Sequence, residues 1–188
     1  AERLAATNAL ERQQTGYVFV SLRSIGDQPG QKTPRYLSAW ESLPDSTFIP
    51  EWKFRQPLTP GSLQITDPAT GAVLFTVLDF NTPRSIPFPS EDAAYTPGLT
   101  PYADLPYIAF DYLGRLVDAN DQPLKRDEYI PLAQGTIAHA RNPDNRLPIL
   151  AAPDQREVPS GNSTNISFHV IHIDWLTGRA RLERQEVQ

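Results

Sequence analysis

The uneven distribution of 19 prolines in 188 residues most strongly restricts how this chain folds. None precedes Pro29 and none follows Pro159, so both ends are free to form regular elements while the middle consists of short pieces joined by turns. The stretch 82–106 holds six prolines, which argues against a helix or a central strand and predicts a long surface excursion. The length is that of one domain with a real core, so we expect a single domain over residues 1–188.

The first residues predict a helix. Residues 1–14 are rich in Ala, Leu, Glu, Arg and Gln and contain no Pro or Gly, and Gly16 provides a stop, so a helix is expected over residues 1–15. No capping residue stands at its start, so we expect it to continue from a removed segment. The alternative is a surface helix with a trimmed start. The alternating residues from Tyr17 begin a β-rich part over 16–188. The expected fold class is therefore α+β, with an N-terminal helix packed on antiparallel sheet.

Three segments share one design, in which a strand ends at an Asp and the next strand begins at a Gly. The Asp side chain bonds its own backbone two residues on, and Gly accepts the positive φ that closes the turn. We therefore predict three antiparallel hairpins in residues 63–78, 107–118 and 166–183. The turn-forming residues are Asp67 and Gly71 in the first, Asp111, Gly114 and Arg115 in the second, and Asp174, Gly178 and Arg179 in the third.

A cluster of two histidines and an aspartate in the third hairpin raises the question of a metal site. On a strand, His169 and His172 point to opposite faces and cannot bind one ion together. His172 and Asp174 share a face, and His139 is a third candidate ligand from elsewhere. Asp174 already has the turn-forming role of the other two Asp residues. We therefore expect packing or partly exposed histidines rather than a metal site, and no cofactor.

Composition and motifs exclude several other classes. A net charge of −5 without a Lys/Arg run argues against nucleic acid as a partner, and the absence of Cys excludes disulfides and thiolate metal sites. No nucleophile elbow, phosphate loop or zinc-protease motif is present. Residues 118–129 begin like a calcium loop but place Pro123 where that loop needs Gly, which favours a surface turn. Asn162 and Asn165 begin glycosylation sequons.

The order of these segments resembles that of a known family. Phe110–Arg115 has an F-D-x-x-G-R pattern, Thr177–Ala180 a T-G-R-hydrophobic pattern, and 43–54 a Leu-Pro stretch leading into a strand. In these segments the chain resembles the soluble region of type IV pilin-like proteins, in particular the H-type minor pseudopilins of type II secretion systems. The resemblance covers the two ends and the middle hairpin.

The resemblance implies a non-enzymatic structural subunit that assembles with other pilin or pseudopilin subunits. It also implies a single-pass anchor in the inner membrane, formed by the missing part of the N-terminal helix, and a soluble domain in the periplasm. On that helix, we expect the stripe containing Leu10 to face the sheet and Leu4 to remain available to neighbouring subunits. The alternatives are an extracytoplasmic β-rich module that binds carbohydrate or protein through residues 82–106, and, third, a hydrolase using an unidentified carboxylate pair.

Overall fold

The computed structural model describes residues 14–21, 35–54, 63–66, 70–78, 80–87, 102–138, 141–144, 154–163 and 169–184. Most of the described elements are short strands, and the longest is the eleven-residue strand Glu128–Ala138. In chain order the elements are β1 (Gly16–Tyr17), β2 (Val20–Ser21), β3 (Arg35–Tyr36), β4 (Glu41–Ser42), β5 (Thr47–Phe48), a 3-10 turn (Glu51–Lys53), β6 (Leu63–Thr66), β7 (Val73–Val77), β8 (Asn81–Pro87), β9 (Tyr102–Tyr107), β10 (Ala109–Phe110), β11 (Leu116–Val117), β12 (Glu128–Ala138), β13 (Asp154–Glu157), β14 (His169–Ile173) and β15 (Ala180–Arg184).

The predicted α+β class is wrong. The protein is β-rich, with 48% strand, and no helix of seven or more residues occurs in the described part, so no N-terminal helix packs on a sheet there. Of the predicted helix 1–15, only residues 14 and 15 are described as helical, and Leu4 and Leu10 lie outside the described residues. The prediction relied on intrinsic helix propensity, which is a small free-energy term and does not by itself decide a fold class. No described helix is long and apolar enough to cross a membrane.

The chain forms two compact units. The first comprises residues 1–45, 84–105 and 138–154, and the second 46–83, 106–137 and 155–188. The prediction of one domain over 1–188 is not decided by this division and stays a prediction.

The first unit contains two small antiparallel pairs, β1 with β4 and β2 with β3. Its core is formed by Ile86 and Leu105, both buried. The partly buried side chains that pack against them are Val18, Val20, Tyr36 and Trp40. Ile86 and Leu105 belong to β8 and β9, which form a two-stranded sheet at the two ends of the proline-rich stretch 82–106. Neither is a central strand in the described sheets. Because Ile86 and Leu105 are buried, however, the described ends of the stretch 82–106 are not the surface excursion that the sequence led us to expect.

The second unit contains the main sheet, in the order β13-β12-β14-β15, with β5 also paired to β12. β12 runs antiparallel to β14, and β14 runs antiparallel to β15. Val77 and Val170 are buried together, with Trp52 and Tyr129 packed against them. Phe48, Leu116 and Ala133 are buried as well. The sheet therefore lies in the interior of this unit at β12 and β14 and reaches the surface at β15.

The three predicted hairpins are present. β6 pairs with β7, β10 with β11, and β14 with β15, all antiparallel. In the third hairpin the described strand begins at His169, and residues 164–168 lie outside the described part. The sequence did not predict β12, although that strand joins the hairpin of β14 and β15 to the rest of the main sheet.

Candidate functional site

The turn between β10 and β11 is held by the carboxylate of Asp111. Its Oδ1 accepts hydrogen bonds from the backbone N–H groups of Leu113 and Arg115, each at 2.9 Å. Its Oδ2 accepts from Arg115 Nε at 2.8 Å and lies 2.7 Å from Arg115 Nη2. Desolvation raises the pKa of Asp111, but the bonds from Arg115 and Leu113 outweigh it and leave this pKa below its usual value. The carboxylate thus fixes the turn as a charged acceptor.

The turn between β14 and β15 repeats this arrangement with Asp174. Its Oδ1 accepts from the N–H groups of Leu176 at 3.1 Å and Thr177 at 2.7 Å, and from the Thr177 hydroxyl at 2.7 Å. The hydroxyl bond is the largest of the causes that lower the pKa of Asp174. Gly114 and Gly178 have φ values of 82° and 62°, the left-handed backbone that closes each turn.

These two turns are in direct contact. Leu116 N donates to Trp175 O at 2.8 Å. A Cβ on Gly178 would lie 2.2 Å from Gly114 O and 3.1 Å from two carbons of the Phe110 ring. The contact therefore requires glycine at position 178, because any larger residue meets backbone. We call residues 110–114 and 174–178 the paired turns.

Apolar side chains project from the paired turns into solvent. Tyr112 is 92% exposed, and Leu113, Leu176 and Phe110 are each about half exposed. Single exposed apolar residues are common on protein surfaces, but several on two contacting, hydrogen-bonded turns offer apolar area that is stabilised when a partner covers it. Arg179 is exposed directly after the second turn. This arrangement suits recognition of another protein surface.

An ion-pair cluster around His172 connects the second turn to the main sheet. His172 Nε2 lies 2.8 Å from Asp127 Oδ2, and Asp127 Oδ1 accepts the backbone N–H of Trp175 at 3.0 Å. His172 Nδ1 lies 2.8 Å from Glu183 Oε1, and the ring stacks on Tyr129 with centroids 4.5 Å apart. The turn 174–178 is therefore tied to the main sheet through one buried imidazole.

The protonation state of His172 follows from these partners. Burial lowers its pKa, but the hydrogen bonds to Glu183 and Asp127 outweigh burial and leave the pKa raised. The guanidinium of Arg181, whose Nη2 lies 2.9 Å from His172 Nδ1, opposes this by charge. Arg181 and Glu183 both lie within hydrogen-bonding distance of Nδ1, so two hydrogen-bonding arrangements are consistent with this geometry. The protonated ring donates Nδ1–H to Glu183, whereas the neutral ring accepts from Arg181.

The candidate metal ligands that the structure describes, His172 and Asp174, have other partners. His172 is occupied by Asp127 and Glu183, Asp174 bonds its own turn, and His139 lies outside the described residues. Among the residues that the structure describes, no group of three or more His, Cys, Asp or Glu side chains is arranged to hold a metal ion.

Other residues from the sequence analysis have plain structural roles. Asp118 accepts from the N–H groups of Asn120 and Gln122, so residues 118–122 form a third aspartate-held turn. Asn162 is buried, and its side-chain amide bonds both backbone groups of Gln134. Its amide nitrogen is thus not accessible to glycosylation in the folded chain. Gly71 has a φ of 68°, whereas Asp67 and Asn165 lie outside the described part.

Sequence reasoning missed the partners of His172. Asp127 lies 45 positions away along the chain and Glu183 eleven. The alternation of β15 places Arg181 and Glu183 on one face, which is a signal for a charged pair beside His172. No comparable signal points to Asp127, because its position depends on the pairing of β12 with β14.

Comparison of the chain with protein-family models, curated proteins and solved structures finds no match.

Proposed function

We propose that this chain is a non-enzymatic structural subunit, a pseudopilin or minor pilin, of a type II secretion or type IV pilus-like assembly. In this proposal the paired turns contact neighbouring pilin or pseudopilin subunits. The proposal includes anchoring in the inner membrane, with the β-rich domain in the periplasm. The observation that carries it is the group of exposed apolar side chains at Phe110, Tyr112, Leu113 and Leu176.

The chemistry of this surface supports a protein partner. Protein–protein interfaces are enriched in Tyr, Phe and Arg relative to the remaining surface. Tyr112 offers a large contact area with few rotatable bonds, so little conformational entropy is lost when a partner covers it. Asp111 and Asp174 fix the two turns before binding, which lowers the ordering cost further.

The family resemblance supports the identity of that partner. Of the segments that carry the resemblance, Phe110–Arg115 contains the whole first turn, and Thr177–Ala180 contains the last two residues of the second. A feature recognised in the sequence and a contact found in the fold therefore coincide. The proposal does not depend on a helix packed on the sheet, because the paired turns belong to the hairpins of the second unit.

The test replaces the exposed side chains in the full-length protein in its native cells. Tyr112→Ser combined with Leu113→Ser removes the largest apolar contributions without touching Asp111 or the turn glycines. Val73→Ser is the matched control, since Val73 is an exposed apolar residue of β7 outside the paired turns. We expect the double variant to fold, to lose co-purification with other pilin-like subunits at least tenfold, and to impair secretion or fibre formation.

Two results would count against this function. One is a folded double variant that co-purifies and assembles like the wild type. The other is an equal loss in the Val73→Ser control, which would show that the effect is not specific to the paired turns.

A further inference from the structure

The strand β15 has an accessible edge. Within the described ranges it is the last strand on its side of the main sheet, and four of its five residues are exposed. Leu182 is 64% exposed, and the Arg181 side chain is 68% exposed. An edge strand presents unpaired backbone donors and acceptors, which pair readily with a strand from another chain.

The hairpin register shows which backbone groups point outward. Asp174 N donates to Arg179 O at 3.0 Å, so these residues form a hydrogen-bonded position at the end of the ladder. Hydrogen-bonded and non-hydrogen-bonded pairs alternate along an antiparallel ladder. The pairs of Arg181 with His172 and of Glu183 with Val170 are therefore hydrogen-bonded. By the same alternation, Ala180 and Leu182 direct their N–H and C=O groups away from β14.

Charge then distinguishes the possible registers of two antiparallel β15 strands. Residues whose backbone N–H and C=O groups point away from β14 must pair with each other. The allowed registers therefore differ from one another by shifts of two residues. The register centred on Leu182 places Leu182 opposite itself and Arg181 opposite Glu183 of the second copy, twice across the axis. The two neighbouring registers place Arg181 opposite Arg181 or Glu183 opposite Glu183, and like charges directly opposite are destabilising.

We propose that two copies of this chain pair through their β15 strands, antiparallel and centred on Leu182, to form one continuous sheet around a two-fold axis. The partner is a second copy because the segment Arg181–Glu183 is complementary to itself in this register. Such a self-complementary contact closes after two copies. In the dimer, Leu182 contacts its counterpart, and Arg181 and Glu183 of both copies form a ring of alternating charge. This contact is separate from the paired turns and does not rest on the proposed function.

A cysteine scan tests the register, because the chain contains no natural cysteine. Leu182→Cys places two cysteines at a hydrogen-bonded pair, where the Cα atoms are about 5.5 Å apart, within the range that a disulfide spans. Ala180→Cys is the matched control on the same strand. In the proposed register its two copies are offset by four residues, about 14 Å. We expect mild oxidation to give a covalent dimer with Leu182→Cys and at least tenfold less with Ala180→Cys.

A second pair of variants tests the backbone pairing by sedimentation of the full chain. Leu182→Pro removes an outward N–H without breaking the ladder to β14, whereas Leu182→Thr keeps that N–H. We expect Leu182→Pro to raise the dimer dissociation constant at least tenfold and Leu182→Thr to raise it less, with unchanged melting temperatures. Equal disulfide formation at positions 180 and 182, or a wild-type chain that stays monomeric up to millimolar concentration, would overturn the proposal.

Discussion

At the scale of single residues, His172 and Lys53 are buried ionisable side chains of the second unit with different physical roles. His172 lies between two carboxylates and an arginine, so its protonation changes the balance of charge beside β15. Lys53 is fully buried and paired with Glu128 at the start of β12. Its amine also donates to Leu78 O and lies 4.5 Å from the centre of the Phe80 ring. Each group gives a prediction.

The first prediction concerns pH. The pKa of His172 is raised in the folded chain, so its contribution to stability is fully present below its ordinary pKa of about 6.5. That contribution is lost as the pH rises through the folded-state pKa. The difference in melting temperature between the wild type and His172→Gln should therefore be larger near pH 6 than near pH 9. Thermal unfolding across this range measures it.

Asp127→Asn is the matched control for the histidine. This change keeps the size of the side chain and removes one of the two carboxylates that favour the imidazolium. The wild type and this variant should differ most at low pH. A wild-type chain that gains stability relative to His172→Gln between about pH 6 and pH 9 would show that the neutral, and not the protonated, form of His172 stabilises the fold.

The second prediction concerns the Lys53–Glu128 pair. Burial raises the pKa of Glu128, and the attraction of Lys53 offsets this only in part. Lys53→Met leaves a buried carboxylate without its cation and should lower the free energy of unfolding by about 3–5 kcal/mol. Combining Lys53→Met with Glu128→Leu should recover most of that loss, because the unpaired charge is gone. Urea unfolding of the three chains measures it, and a double variant no more stable than Lys53→Met contradicts it.

At the scale of elements, the hairpin turns depend on glycine for two separable reasons. Gly71 and Gly178 both have positive φ, but a Cβ on Gly71 would meet nothing within 4 Å whereas one on Gly178 would meet backbone at 2.2 Å. Gly71→Ala should therefore cost only the backbone strain, about 1–2 kcal/mol. Gly178→Ala should cost several kcal/mol more, because the paired turns must separate. Equal losses in urea unfolding would show that the two turns are not in contact.

These elements also show what could be read from the sequence. The hairpins were predictable because Asp and Gly act locally, through bonds to the backbone two residues on and through positive φ. β12 was not predictable, because it contains Pro131 and Gly135 and shows no clear alternation. Pro131 lies opposite Val170, whose backbone points to β15, so the missing N–H costs no bond to β14. Pro131 is thus compatible with the sheet only when β12, β14 and β15 are in this register, and the local sequence carries no signal for that.

At the scale of the whole molecule, the error in fold class has the same origin. The helix expected over residues 1–15 followed from composition alone, whereas strand pairing between distant segments decides the architecture that the structure describes. β12 connects β5, β13 and β14, which come from three separated parts of the chain. Long-range pairing of this kind leaves little local signal, which is why the contact between the paired turns was not foreseen even though each turn was.

The central claim is that the paired turns contact neighbouring subunits. The most direct measurement is site-specific photo-crosslinking in native cells, with a photoreactive residue in place of Tyr112 in one full-length variant and in place of Val73 in the other. We predict crosslinks to other pilin-like subunits from position 112 and none from position 73. An assembled variant that gives no crosslink from position 112, or the same crosslinks from both positions, would contradict the account.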